Sequence, residues 1–328
     1  MKANAIGLDV GTSRIVVAKP QGDSFQYQSQ LNAFVAIPYS KMSAMALQRE
    51  GIPHHVESDE LVVHGDESEK FADLMNAETR RPMNKGVLDA KEPVAVKMMQ
   101  HIIGSLTNTS ESGTRVCFTV PAAPLGAEES VTYHEATVRQ VLETMGFEPK
   151  PINEGLAVVY SELESTNYTG IGISCGGGLC NVSLAYLSVP VLSFSIPKAG
   201  DYIDQSAAAM TGERANRIRM VKEESFFFNG FHPDKVQQVL AVYYDDMIKT
   251  LVNALRDSFT SARNMPKISR PIPIVLSGGT SLPKGFRERF EKIFKESNLP
   301  IPVSEIKVAT NPLEAAARGA LVAALAEM

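Results

Sequence analysis

Ile6-Gly-Leu-Asp-Val-Gly-Thr-Ser13, followed at once by Ile15-Val-Val-Ala18, is the stretch on which the fold turns. Two β-branched apolar runs separated by Gly11-Thr12-Ser13 read as a β-hairpin, and not as a strand leading into a helix. Roughly 160 residues later the same layout returns. Gly170-Ile-Gly-Ile-Ser174 is a strand, Cys175-Gly-Gly-Gly-Leu179 a turn and Asn181-Val-Ser-Leu-Ala-Tyr-Leu187 a second strand, with a third over residues 189–196. Each half of the chain thus opens with a strand, a glycine turn and another strand. That is a duplicated architecture, not a solenoid array.

Composition agrees with two folded units. The chain has 328 residues, 44% hydrophobic and 21% charged, with 32 Lys and Arg against 37 Asp and Glu for a net charge of −5. A chain of this length predicts two domains or one large bilobed unit. Its hydrophobicity excludes a disordered chain, and 23 Gly and 19 Pro exclude a collagen-like or low-complexity one. Mild acidity gives no general reason to expect nucleic acid. The three cysteines, Cys117, Cys175 and Cys180, are an odd and sparse set that fits a reducing cytoplasm. Cys175 and Cys180 lack the second Cys or His pair that a zinc site needs. Asp9 interrupts any signal-peptide core, and no apolar run approaches the ~20 residues that span a bilayer. A cytoplasmic protein is expected.

Between the two hairpins, residues 20–80 are less regular and read as a small peripheral subdomain. Residues 93–106 carry apolar side chains at helical spacing, Val116-Cys-Phe-Thr-Val120 is a buried strand, and residues 128–145 form a polar-faced helix stopped by Gly146. After the second hairpin, residues 202–265 read as mostly helical. Ile272-Pro-Ile-Val-Leu-Ser277 is a strand running into Gly278-Gly279 and a helix over 283–296, and Asn311-Pro312 introduces an Ala-rich final helix.

Three turns of small residues therefore follow apolar strands: Gly11-Thr12-Ser13, Gly176-Gly177-Gly178 and Gly278-Gly279-Thr280-Ser281. Such turns let backbone amides approach an anion closely, as phosphate cradles do. Neither a Walker P-loop nor a Gly-x-Gly-x-x-Gly dinucleotide turn occurs in the sequence. The combination resembles the actin-like ATPases. Ile6–Ser13 resembles their first phosphate motif, and Asn153-Glu154-Gly155-Leu-Ala-Val-Val the motif before their second domain, which usually has Pro where this chain has Gly155. Gly176-Gly177-Gly178 resembles the second phosphate motif, and Ile274-Val-Leu-Ser-Gly-Gly279 the adenosine motif. Within that superfamily the bacterial filament proteins MreB and MamK are most similar, through Pro82-Met-Asn-Lys-Gly-Val-Leu88, Lys198-Ala-Gly-Asp-Tyr-Ile-Asp204 and Val221-Lys-Glu-Glu224.

The resemblance implies an α/β, two-lobed actin-like (ribonuclease H-like) ATPase fold, with duplicated β-sheet domains around a cleft that holds ATP and Mg²⁺. Asp9 would hold the hydrated Mg²⁺, which keeps most of its waters and takes one or two carboxylates. Thr12 and Ser13, with Gly11, would contact the β- and γ-phosphates, and Gly176, Gly177 and Gly178 would cradle them from the other side. Glu154 would position the attacking water, so Glu154 and Asp9 are the catalytic candidates. Gly278, Gly279 and Thr280 would admit the nucleoside, and Lys222 and Glu223 would line the ribose and adenine. Read from residues alone, the alternatives to these roles are a carboxylate capping local amides for Asp9, a helix-start charge for Glu154, and a solvated helix face for Lys222 and Glu223.

The second phosphate motif departs from the family pattern, which is Asp, any residue, Gly-Gly/Ala-Gly-Thr-Thr/Phe-Asp/Glu. Here Ser174 and Asn181 replace the two carboxylates, and Leu179 and Cys180 replace hydroxyl-bearing or aromatic positions. Phosphoryl transfer depends on placing metal and water, so these changes should impair hydrolysis more than binding. Asp201 is a candidate to supply the missing charge. The expectation is an ATP-binding filament protein with slow or impaired hydrolysis. A non-hydrolysing nucleotide-gated scaffold and a small-molecule kinase with Asp89 as base are the alternatives. Expected partners are further copies of the chain, ATP and protein adaptors, with no direct nucleic-acid binding. The N-terminus lies too close to the first strand for a membrane-binding helix. The cluster Phe226-Phe227-Phe228 with Phe231 reads as subdomain core or an assembly patch. Small residues Ala315, Ala316, Gly319 and Ala320 would pack the final helix on the first lobe. Domain I would then comprise 1–153 and 310–328, with a small subdomain near 31–85. Domain II would comprise 154–309, with a helical subdomain near 205–265.

Overall fold

The computed structural model describes residues 5–326 apart from 76, 78, 108–112, 127–130, 229, 231, 233, 263–265, 267 and 269. The opening stretch forms the expected hairpin. Strand β1 (Ala5–Val10) pairs antiparallel with β2 (Arg14–Gln21), and β3 (Ser24–Leu31) continues the meander. A small sheet follows, made of β4 (Phe34–Pro38), β5 (His54–Glu57) and β6 (Glu60–His64), with α1 (Lys41–Arg49) and α2 (Glu67–Met75). A two-residue-per-strand hairpin, β7 (Met83–Asn84) and β8 (Val87–Leu88), leads to α3 (Ala95–Thr107). The chain re-enters the first sheet through β9 (Arg115–Val120), crosses over by α4 (Val131–Thr144) and returns as β10 (Glu148–Asn153).

Helix α5 (Glu154–Glu162) then carries the chain into the second half. There β11 (Gly170–Cys175), β12 (Cys180–Tyr186) and β13 (Val189–Ile196) repeat the meander. Helices α6 (Gly200–Thr211), α7 (Ala215–Glu224) and α8 (Lys235–Ser261) precede β14 (Ile272–Ser277), α9 (Phe286–Lys295), β15 (Val303–Val308) and the final α10 (Ala315–Ala326). The two five-stranded sheets have the orders β10-β9-β1-β2-β3 and β13-β12-β11-β14-β15. Written from the crossover side, the second is β15-β14-β11-β12-β13, so the duplication inferred from the hairpins extends through every strand.

Three strands of the two large sheets were not anticipated, and one of them corrects a boundary. Residues 24–31 belong to the first large sheet and not to the peripheral subdomain, whose sheet begins at Phe34. β3, β10 and β15 are all edge strands. An edge tolerates the polar run of β3, the prolines Pro149 and Pro151 of β10 and the charges of β15, and these mask the alternating apolar pattern. The described part of the predicted helix at 128–145 begins at Val131, since 128–130 lie outside the described residues.

Between the two sheets lie α10 and α5, packed at contacts that admit no side chain. A Cβ on Gly7 of β1 would lie 2.1 Å from the Ala317 carbonyl oxygen of α10, and one on Gly319 of α10 would lie 1.7 Å from that of Ala157 in α5. Gly155 of α5 would likewise strike the Ser183 amide of β12 at 2.7 Å, and Gly172 of β11 the Gly155 carbonyl oxygen at 2.2 Å. Real Cβ atoms do not approach so closely, so glycine sets the spacing through the centre of the molecule. This accounts for Gly155 at the position where the resembled motif has Pro. Among the described residues, no helix is long and apolar enough to cross a membrane.

Candidate functional site

The two equivalent hairpin turns converge on one cavity of about 590 Å³, within the usual range for a small-molecule site. Every residue the sequence assigned to a nucleotide lies on its wall, namely Asp9, Glu154, Asp201, Lys222, Glu223, Gly11-Thr12-Ser13, Gly176-Gly177-Gly178 and Gly278-Gly279-Thr280. Asp89 does not line it; its carboxylate accepts from the Lys91 amide at 2.9 Å and shapes a local turn. The residue read as the base of the kinase alternative is therefore not in the cleft.

The first turn keeps its chemistry facing the cavity. Asp9 is at the end of β1, and its Oδ1 accepts a 2.6 Å hydrogen bond from the Thr119 hydroxyl on β9. Burial raises its pKa, with Thr119 opposing. Asn32 holds the turn by donating to the Gly11 carbonyl at 2.9 Å. Thr12 and Ser13 border the second turn so closely that a Cβ on Gly178 would be 2.6 Å from the Thr12 hydroxyl, and one on Gly177 would be 2.3 Å from the Ser13 hydroxyl.

Glu154 opens α5, where Asn153 caps the helix by accepting from the Gly155 and Leu156 amides. Both carboxyl oxygens of Glu154 are occupied. The Ser174 hydroxyl donates to Oε1 at 2.6 Å and Asn181 Nδ2 donates to Oε2 at 2.7 Å. The Ala122 amide donates to Asn181 Oδ1 at 2.9 Å, which assigns the amide orientation. Burial, and then the charge of Asp9, raise the Glu154 pKa well above the ordinary carboxylate range. Ser174 and Asn181 are cross-strand register partners in β11 and β12, so the two departures from the family pattern meet at one carboxyl group. Only the folded register shows this.

The rest of the second turn faces inward. Cys175 and Cys180 are also register partners, fully buried and free, in the core of the second half. Contact with Cys175 and burial keep the Cys180 thiol protonated, with its pKa pushed well above normal. Leu179 packs on Gly86 of the β7–β8 hairpin, where a Cβ on Gly86 would be 2.3 Å from its Cδ1. Gly278, at φ 85°, passes so close to the Cys175 carbonyl oxygen that a Cβ would lie 2.3 Å from it. Thr280 donates to the Gly176 carbonyl at 2.8 Å and ties the third turn to the second.

Asp201 stands beside Gly177 in the first turn of α6, but its carboxylate pairs with Arg81 at 3.0 Å. A second ion pair joins Arg219 of α7 to Glu69 of α2. Both link the first half of the chain to the second through residues that include Glu69, Asp201 and Arg219 of the cavity wall. Lys222 is buried, bonded to Asp204 Oδ2 at 2.7 Å and to the Gly200 carbonyl at 3.3 Å. Burial raises the Asp204 pKa, and Lys222 opposes it. The sequence did not point to Arg14, Arg219, Tyr244, Lys284 or Leu313, which also line the cavity. Phe226 does so too, stacked on Tyr244 at 5.0 Å, whereas Phe227 is partly exposed and Phe231 lies outside the described residues.

The residues present fit a nucleotide. Gly176, Gly177 and Gly178 leave a side-chain-free wall opposite the Thr12 and Ser13 hydroxyls. At the other end Asp204 Oδ1 and the Tyr244 hydroxyl are buried with no hydrogen-bond partner among the described residues, which suits a sugar or base that donates and accepts. They do not form a protein-only cation site. Among the described residues no group of three or more His, Cys, Asp or Glu could hold a metal, and Asp9 uses one carboxyl oxygen on the Thr119 hydroxyl.

Solved structures share this architecture. A MamK double helical filament superposes with a TM-score of 0.71 at 18% identity, covering 99% of this chain and 98% of that one. MreB5 of Spiroplasma citri bound to ADP gives 0.67 at 17% identity, covering 96% and 94%. The ethanolamine utilization protein EutJ from Carboxydothermus hydrogenoformans gives 0.54 at 14% identity, covering 97% and 88%. At these identities the likeness shows the fold, which is the two-lobed actin-like ATPase fold. No curated protein matches the sequence. The sequence model of the Volactin family matches residues 4–324, nearly the whole chain, and the protein therefore belongs to the Volactin family.

Proposed function

We propose that this protein is an actin-like cytoskeletal element that binds ATP in the cleft and self-associates into filaments, hydrolysing ATP slowly. The observation that carries the reading is the pair of facing glycine turns around a 590 Å³ cavity. Asp9 with Thr12 and Ser13 would meet the β- and γ-phosphates, Gly176, Gly177 and Gly178 would supply backbone amides opposite them, and Lys222 and Glu223 would border the nucleoside beside Gly278, Gly279 and Thr280. Mg²⁺ would enter with the nucleotide and meet the protein at Asp9. Two lobes, 1–153 with 310–328 and 154–309, would close on the ligand about the glycine-packed seam of α5 and α10.

A nucleotide bridging both turns favours the closed arrangement only if it binds that arrangement more tightly. The closed arrangement would in turn set the surface that meets the next copy. Structures of relatives bear on this without reaching it: a MamK has been seen as a double helical filament, and MreB5 with ADP and with AMPPNP. Slow turnover follows from Glu154. With both oxygens held by Ser174 and Asn181 and its proton retained by burial, it is poorly placed to take a proton from water. The same contacts favour the second reading, a nucleotide-gated scaffold that does not hydrolyse at all. Three buried cysteines, none of them in a disulfide, support a reducing, cytoplasmic setting.

Negative-stain microscopy with and without ATP and Mg²⁺, beside a phosphate-release assay, tests the reading. ATP-dependent filaments with slow release are expected. ATP binding without polymer supports the scaffold, and fast release refutes both.

A further inference from the structure

Ser174 and Asn181 are not two separate losses. They sit opposite each other in the β11–β12 ladder and hold the two oxygens of the same carboxyl group, at 2.6 and 2.7 Å. Carboxylates at these two positions would place two acidic groups in direct contact with a third, Glu154, with Asp9 close by. Like charges at that spacing cannot all ionise unless a cation sits among them. A site built that way demands a divalent ion before it can accept the four negative charges of ATP. In this chain neutral donors stand at both positions, and each makes a hydrogen bond that needs no cation.

Resting on the nucleotide-binding reading above, we propose that this cleft holds ATP with an affinity nearly independent of divalent cation, because Ser174 and Asn181 satisfy Glu154 by hydrogen bonds where carboxylates would require a metal. Three further observations support it. Asn181 is locked in its donating orientation by the Ala122 amide. Asp201, the acidic group beside Gly177, is compensated by Arg81 within the protein. Asp204 is compensated by Lys222. Of the acidic groups on the cavity wall, Glu154, Asp201 and Asp204 are thus satisfied within the chain, which leaves Asp9 as the carboxylate a triphosphate at the glycine turns would face.

The test is calorimetric titration of the full chain with ATP, once in excess Mg²⁺ and once in EDTA. The two dissociation constants are expected to agree within about fivefold. A loss of about 100-fold or more in EDTA would overturn the proposal. The double variant Ser174→Asp with Asn181→Asp is expected to lose at least about tenfold in EDTA and to regain it in Mg²⁺. If it folds and shows the wild-type indifference to metal, the account of Ser174 and Asn181 is wrong. If it does not fold, the wild-type pair of titrations still decides. Failure of ATP to bind wild type in either buffer would instead refute nucleotide binding itself, and this inference with it.

Discussion

The two hairpin turns occupy equivalent places in two sheets of the same strand order, yet they present different chemistry to the cavity between them. The first presents Asp9, Thr12 and Ser13 to the cavity. The second keeps the glycines but sends Leu179 and Cys180 into the interior and uses Ser174 and Asn181 to hold Glu154. The cradle depends on strand register and on close approaches that only glycine allows. Charge at the turns depends on side chains. In the second turn the close backbone approaches are present although Ser174 and Asn181 carry no charge.

Four substitutions or conditions probe that contrast, in decreasing order of effect. Gly178→Val would drive a side chain into the Gly86 amide, 2.2 Å from its Cβ, and into Thr12. ATP affinity should fall at least about 1,000-fold by calorimetry, or about 4 kcal/mol, with a thermal melt to confirm folding. Near-normal affinity would mean that the turns do not form the cradle. Leu179→Ala empties a buried contact with Gly86 and should cost about 3 kcal/mol in urea denaturation, whereas Ser13→Ala in the first turn should cost less than about 0.5. Equal costs would erase the distinction between a packed turn and a chemical one.

The third probe is pH, through the support beneath that packing. His134 of α4 is buried, and its Nδ1 accepts from the Leu88 amide in the hairpin that receives Leu179. Burial lowers its pKa from 6.5 to about 4. The unfolded chain therefore takes up a proton below pH 6.5 that the folded one refuses until pH 4. Stability is unaffected above that window and declines as pH falls through it, by about 2 kcal/mol at pH 5. His134→Gln should remove this part of the acid sensitivity, and an unchanged profile would assign it elsewhere. The smallest effect is expected from Arg81→Ala. Its pair with Asp201 is partly exposed, so the loss should be about 0.5–1 kcal/mol and should shrink in high salt, read as a change of a few-fold in ATP affinity.

Much of the fold was legible because both hairpins and the strand at 272–277 are short apolar runs closed by glycine, a pattern written in adjacent residues. The missed strands, β3, β10 and β15, are sheet edges where Gln, Pro, Glu and Lys are tolerated, so no local pattern marks them. The same division holds at the site. Asp9, Thr12, Ser13 and the glycines lie within recognisable turns. Phe226, Tyr244 and Leu313 reach the cavity from three distant segments. Ser174 and Asn181 read as missing carboxylates in the sequence. Their shared grip on Glu154 exists only through the pairing of β11 with β12 and the placement of α5 beside them.

The most direct measurement is to incubate the purified protein with ATP, remove free nucleotide and identify by chromatography what remains bound. The account predicts stoichiometric ATP, still unhydrolysed after many minutes. Recovery of ADP would contradict the role given to Ser174 and Asn181, and recovery of no nucleotide would contradict the cradle.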